Sequence, residues 1–422
     1  GMSATSGSAR TTTSRPSADC TSRRGRDRVA WSFVLCDRLG QVIGELNDAR
    51  DRKLRFALSQ PATLGFKVRH QHPMAAALRG MDQVFVKAYD NRTGSKVLRF
   101  LGPVTGREKV RRDLAGEVAV TCVSPVWRLA RRLIGKSQAG VSFGTALAPV
   151  TRASIVQSIV DGLLTGANGG SAWDTGVRSG TITSASSTYA GPWTYKPALE
   201  ALNEVMATLD GMDWQETFTE PAADAYGLKL CQIDASPVIG SVKPEAVWEF
   251  GDGRRNVAEW SEQLTTDHML NTVHHLPPGW PDNATQAAIA AQDTTSIAQR
   301  GLYEAVISAD LSVDDLRTRL VQEHVGLRNR PRQIVTFKPT PDYASAAQAM
   351  PRLFADFSVG DAVAFRAVER IEQRSQASGA VTGFAKSVEV DARLRVYAAE
   401  ITLTDEGAEQ PEFTLIDDRT VT

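Results

Sequence analysis

Several residue groups have types and spacings that could carry chemistry. Gly140-Val-Ser142-Phe-Gly144 has the Gly-x-Ser-x-Gly spacing of a nucleophile elbow, which raises a serine on a sharp turn from a buried strand into a helix. Here the residues ahead of it are Arg131-Arg132-Leu-Ile-Gly-Lys136, too charged for a buried strand, so the segment reads as a turn. Gly135-Lys136-Ser137 matches the end of a phosphate-binding loop, but the first glycine would fall at Ala130 and no apolar strand precedes it. His70 and His72 are spaced to share a strand face and could hold zinc, yet no acid or cysteine is near them in sequence and Pro73 ends the strand. His274 and His275 are adjacent, so on a strand they point to opposite faces and cannot join His268 on one metal. Asp314-Asp315 opens a helix, where carboxylates favour the dipole, and Asp417-Asp418 reads as a solvated pair. The expectation is a chain with no catalytic residue, no metal site and no cofactor.

A different kind of site is suggested by charge. Residues 107–136 carry eight cations against Glu108, Asp113 and Glu117, net +5. Arg107, Arg111, Arg112, Arg128, Arg131 and Arg132 are therefore the candidate interface for an acidic partner, with a solvated basic face as the competing reading. The whole chain has 48 Lys+Arg and 48 Asp+Glu, so it lacks the basic excess of a protein built to coat nucleic acid. Of its eight tryptophans, Trp173, Trp193 and Trp214 could stack on sugars or pack a core.

The elements that must position these residues are mostly short strands. Alternation with period two marks 31–35, 54–58, 64–68, 84–88, 97–101 and 118–122, followed by a short basic helix over 125–134. Ile155, Ile159 and Leu163 form a helical stripe over 152–164, and a second helix starts at Pro197 with Leu199, Leu202, Val205, Met206 and Leu209 on its apolar face. A loop-rich stretch over 167–192 separates them, and a strand follows at 228–233. One long strand is expected from 257 to 275. Ser312 with Asp315 resembles a capping box for a helix over 313–326, and strands are expected at 333–338, 361–366, 393–403 and 412–416. Residues 1–28 have six arginines against two aspartates and almost nothing to bury, and read as a disordered tail or an arm. Cys20, Cys36, Cys122 and Cys231 form no metal or disulfide pattern and read as reduced thiols. No apolar run of about 18 residues is present, so no stable membrane insertion is expected, and the lack of an apolar core in the first 28 residues points to assembly in a host cytoplasm.

Two distant stretches echo each other: Asp82-Gln-Val84-Phe-Val86-Lys87-Ala88 and Asp361-Ala-Val363-Ala-Phe365-Arg366-Ala367. Each is followed by Leu-Arg (Leu98-Arg99, Leu394-Arg395) and a closing strand. The expected fold is α+β and β-rich: a tail (1–28), a first small β-barrel (29–134), an α+β insert (135–253) and a second small β-barrel with one helix (254–422).

The order of local signatures resembles the tail-tip hub proteins, or minor tail proteins, of siphophages infecting actinobacteria. The residues that carry it are Ser124-Pro-Val-Trp127-Arg-Leu-Ala-Arg131-Arg132, Gly211-Met-Asp213-Trp214, Asn271-Thr-Val273, Asp293-Thr-Thr-Ser296-Ile297 before Gly301, and Val359-Gly360-Asp361 followed by Leu394-Arg395-Val396. The stretch 277–290 is less Gly-rich than the family pattern. The resemblance implies a homotrimer at the virion's tail tip that adapts a sixfold tube to threefold components. Its implied partners are the distal tail protein ring, the C-terminus of the tape measure protein, other minor tail or fibre proteins, and phage DNA in passage. A receptor- or carbohydrate-binding module, or a tail-borne cell-wall hydrolase, are the alternatives.

Overall fold

The computed structural model describes residues 30–112, 115–134, 150–162, 174–183, 188–189, 196–206, 212–251, 256–277, 287–307, 318, 321–322, 324–326, 328–341, 350–374, 381–404 and 408–417. The N-terminal strands are β1 (Trp31–Asp37), β2 (Val42–Glu45), β3 (Arg50–Ala57), β4 (Gln60–Arg69), β5 (Val84–Asp90), β6 (Val97–Arg112) and β7 (Ala115–Val123). The middle holds β8 (Leu133–Ile134), β9 (Val150–Thr151), α1 (Arg152–Gly162), β10 (Val177–Ile182), β11 (Thr188–Tyr189), β12 (Lys196–Pro197), α2 (Ala198–Met206), β13 (Asp213–Asp224) and β14 (Gly227–Ser236). The remainder is β15 (Val242–Phe250), β16 (Val257–Thr265), β17 (Thr272–His275), β18 (Ile289–Gln292), α3 (Thr294–Arg300), β19 (Glu304–Ile307), β20 (Arg332–Pro339), β21 (Ala362–Arg374), β22 (Val381–Leu403) and β23 (Glu409–Ile416).

Period-two alternation places one face of each long strand inside. In β4, Ala62, Leu64, Phe66 and Val68 are buried in turn. Thirteen strands share one hydrogen-bonded sheet, and its order contains the same arrangement twice. The N-terminal strands run β1-β5-β6-β7-β4-β3 and the C-terminal ones β15-β21-β22-β23-β20-β16. Numbered within each series, with the edge strand β2 set aside, both read 1-4-5-6-3-2. The series differ at the first strand, since β1 is antiparallel to β5 whereas β15 is parallel to β21. They join where β3 pairs with β22, from Ala57 opposite Ala398 to Arg52 opposite Leu403.

The fold is β-rich with a mixed middle, as expected, but the described strands close no barrel. In the C-terminal series the gap between β15 and β16 is bridged by a side chain: Glu249 N donates to Asn256 Oδ1 (2.7 Å) and Asn256 Nδ2 donates to the Val247 carbonyl (2.8 Å). β15 belongs to this series although 242–250 fall within the stretch expected for the insert, and its Trp248 packs on Phe337, Phe357 and Phe413 with ring centroids 4.9, 6.0 and 5.6 Å away.

Other expectations change in detail. The basic helix is a 3-10 turn, Pro125–Arg131, ended by β8. The long strand to His275 breaks after Thr265, and β17 joins a separate three-stranded sheet, β18-β17-β19. The stretch read as loop contains β10, parallel to β14. Most of the helix expected over 313–326 lies outside the described residues; positions 318, 321–322 and 324–326 are helical. The two echoed segments start equivalent strands, but the Leu-Arg pairs do not correspond. Leu98 sits opposite Tyr89 at the end of β5, whereas Leu394 sits opposite Val363 at the start of β21. The strand order repeats; that part of the sequence match does not.

A single buried cluster runs through both series, and a second one holds the insert. Phe337 lies among Trp248, Phe365 and Phe413 in the first, with centroids 4.9 to 5.3 Å away. Phe337→Ala should cost about 3–5 kcal/mol in chemical denaturation, while Val388→Ser, on an exposed part of β22, should shift stability by less than about 0.5 kcal/mol.

Candidate functional site

The six candidate arginines do not form one patch. Arg111 and Arg112 pair with Gly116 and Ala115 at the end of the β6–β7 hairpin. The 3-10 turn bearing Arg128 and Arg131 starts after Ser124, about 30 Å along β7 at the usual strand rise. Arg107, half-buried, lies between them opposite Val120, and its Nε is enclosed without a hydrogen-bond partner. Arg128 is used internally: it donates to the Thr175 carbonyl (3.2 Å) and stacks over Phe85, 5.4 Å from the ring centre. Burial lowers Arg132, whose backbone carbonyl accepts from Ala198 N at the start of α2. Arg131 is exposed over the Trp127 ring and, of the three on the turn, is the one directed to solvent.

The histidines resolve into structural roles. β4 stops at Arg69, so His70 and His72 do not share a strand face. His72 instead caps the 3-10 turn Pro73–Ala75, its Nδ1 accepting from Met74 N (3.0 Å), and its Nε2 lies 2.8 Å from Asp48, an acid not close to it in sequence. His274 faces Glu304 (3.3 Å) on one side of β17, and His275 is buried on the other. Among the described residues no three His, Cys, Asp or Glu side chains gather as metal ligands. The Gly-x-Ser-x-Gly segment, Gly135-Lys136-Ser137, Asp314-Asp315, Trp173 and Trp193 lie outside the described residues. Trp214 is fully buried and donates its Nε1 to Asn203 (3.1 Å), so its face is closed to a sugar.

What the structure assembles is a set of polar junctions centred on β13, buried at Asp213, half-buried at Glu216 and exposed at Glu220. Several residues of this strand contact segments outside the insert. Asp213 pairs with Arg395 of β22 (2.5 Å), and Arg395 also donates to the carbonyls of Gly360 and Ile239 (3.0 Å each). The Trp214 carbonyl accepts from Ser59 N, in the β3–β4 turn, and Trp214 N donates to the Ser59 hydroxyl. Glu216 accepts from Ala62 N (3.0 Å) and from the Ser124 hydroxyl, and burial pushes it up to about 8. Phe218 packs on Phe100 (5.8 Å). Glu220 takes Lys87 Nζ (2.6 Å) and the Tyr89 hydroxyl (2.8 Å); burial opposes its charge, but those two donors win and hold it below the ordinary carboxylate range.

A second network ties the two strand series together. Arg92 bonds Asp90 (2.8 Å), Glu409 (3.1 Å) and the Leu353 carbonyl (3.0 Å), while Trp31 Nε1 donates to Glu409 (2.9 Å). Burial would raise Asp90, yet the Arg92 hydrogen bonds and charge bring it down; at Glu409 burial prevails and the carboxyl is raised. A third knot joins the sequence signatures of the small sheet. Asn271 donates to the Gly301 carbonyl (2.7 Å) and accepts from Tyr303 N (2.8 Å), and Asp293 caps α3 through Ser296 N (2.9 Å).

Asp213 and Arg395 were each conspicuous in sequence, but no local spacing announces a pair 182 positions apart. Glu216 carried no sequence signal at all. Removing one partner of a buried ion pair strands the other, so Asp213→Ala should cost about 3 kcal/mol in urea denaturation, and the double variant Asp213→Ala/Arg395→Met should recover part of that.

No protein-family model and no curated protein matches the sequence. Solved structures do resemble it. A tail protein from Neisseria meningitidis MC58 aligns with TM-score 0.53 and 11% identity over 92% of this chain and 97% of its own. The 43 kDa tail protein of prophage MuSo2 from Shewanella oneidensis aligns with TM-score 0.51 and 9% identity over 91% and 98%. Across nearly its whole length, the chain has the overall fold of these two tail proteins.

Proposed function

We propose that the chain is a structural, non-enzymatic phage tail protein, and that it forms the homotrimeric hub at the tip of a siphophage tail. The observation that carries this reading is the repeated strand order within a fold shared with tail proteins. A chain with two equivalent strand series, each the remnant of a small barrel, offers two similar surfaces. Three such chains offer six, which suits a threefold object docking on a sixfold tube. The insert, held to both series by β13, is placed to close the channel before DNA ejection. In this reading the N-terminal series spans roughly 29–134, the C-terminal one begins near β15, and the chain sits in the virion against the distal tail ring, the tape measure C-terminus and other tip or fibre proteins. The signature residues support it by what they do: Asp213, Arg395, Asn271 and Asp293 all hold backbone segments together. No helix among the described residues is long and apolar enough to cross a membrane.

Averaged electron micrographs of tails carrying a labelled copy of the chain should show threefold density beneath the sixfold tube. Label along the tube, or sixfold density at the tip, would overturn the hub assignment. Arg131→Glu and the pair Arg111→Glu/Arg112→Glu should leave the purified chain folded, with unchanged circular dichroism, yet stop tails from assembling. Infective tails from both variants would remove the basic residues from the interface.

A further inference from the structure

β13 joins the insert to both strand series, and among the described residues no cation contacts the carboxyl in the middle of the strand. Asp213 has Arg395 and Glu220 has Lys87, but Glu216 takes only a backbone N–H and a serine hydroxyl. The charged groups on the elements packed around it are directed elsewhere. Arg55 of β3 donates to Gln60, Arg99 of β6 lies over Phe354 and towards Asp90, and Arg128 is held by Thr175 and Phe85. Arg178 of β10 is clasped by Asp174 and Asp224, and Asp234 of β14 binds the Thr217 hydroxyl and Thr181 N. The neighbouring Cys231 thiol is pushed well up, first by burial and then by Glu216 itself. A half-buried carboxyl with two neutral donors, and with no cation in contact among the described residues, is favoured in its protonated form by the burial that outweighs those donors. Beside it the seam widens into a cavity of about 310 Å³, walled by Phe56, Gln60 and Arg99 of the N-terminal series, Glu216 and Phe218 of the insert, and Phe354 ahead of β21. Water therefore has a place to enter next to the carboxyl if the seam loosens.

We propose that this seam is a proton-held latch: neutral Glu216 keeps the insert docked on the N-terminal strands, and loss of its proton draws water from the adjoining pocket into the seam and frees the insert to move. The motion has a use only under the tail-tip reading, where it would open the channel, but the latch itself is a property of the single chain. The sign follows from the raised folded-state value. The stabilisation is complete below the ordinary glutamate range and is lost as pH rises through about 8.

Hydrogen–deuterium exchange of the purified full chain at pH 6 and pH 9, corrected for intrinsic exchange, tests it. Amides of β4 and β13 should exchange at least about tenfold faster at pH 9, with β23 unchanged as reference, and Glu216→Gln should keep the seam protected at both values. Equal protection of the wild-type seam at both pH values would overturn the latch, as would pH dependence that persists in Glu216→Gln. If Glu216→Gln does not fold, carbon-detected titration of the wild-type carboxyl decides instead: a midpoint above about pH 7 upholds the latch and any lower one sinks it. Because no tail is present in these measurements, their failure leaves the tail-tip assignment standing, and a chain imaged away from the tip leaves their result standing.

Discussion

Arg395 lies wholly inside the protein, and a guanidinium taken out of water is tolerated only where its donors are answered by good acceptors. Its acceptors come from three separate places: Asp213 at the start of β13, the Ile239 carbonyl where the chain leaves the insert, and the Gly360 carbonyl where it enters β21. The backbone geometry at this point is equally constrained. Gly240 and Gly360 both take positive φ, and a Cβ on Gly240 would run into the Gly360 backbone. Asp361 completes the corner by accepting from Ser241 N and Ser358 N (2.7 and 2.8 Å). Through its Nε and Nη2, Arg395 fixes the insert, the entry to β15 and the entry to β21 relative to one another. The continuous sheet can then pass from one series to the other with the insert held at its side.

The contacts divide the molecule into two large apolar clusters and a seam of mixed chemistry between them. The two strand series share one apolar cluster and a direct ladder between β3 and β22, so they behave as one body. The insert has its own apolar cluster, and Phe218 is the side chain that packs against both. Between these two clusters lie the polar junctions of β13 and a smaller apolar cluster in which Leu230 of the insert meets Cys36, Phe85 and Leu101 of the N-terminal series. Apolar burial is non-directional and pulls bodies together over wide areas, whereas hydrogen-bonded carboxylates hold only in one geometry and one protonation state. The polar junctions therefore fix the position of the insert, and the apolar contacts add adhesion without direction.

The strands with one solvated face were legible because alternation with period two states both their type and their inward side; β3, β4 and β7 are examples. β10 was not, because Val-Arg-Ser-Gly-Thr-Ile lacks that alternation and its place is set by parallel pairing to β14. The 3-10 turn at 125–131 looked like a helix because Val126 and Leu129 are spaced for either form, and both are buried against the insert. The basic patch was read from a one-dimensional charge count, which could not know that a hairpin puts some 30 Å between its two halves. The polar junctions were least legible of all, since each depends on partners brought together by the completed sheet.

The two series repeat one another except at a single place, and that exception has a structural source. β1 enters as half of a hairpin with β2 and therefore runs antiparallel to β5, leaving Leu39, Val42 and Ile43 exposed at the sheet edge. β15 arrives from the insert and is committed to the opposite direction, and its far side is occupied by Asn256. The strands that differ are those next to the chain's other obligations, while the four inner neighbours of each series are ordered alike. The β5–β6–β7 and β21–β22–β23 meanders are thus the parts of the two series that match, and the first strand of each, set by the way the chain enters the sheet, is the part that does not.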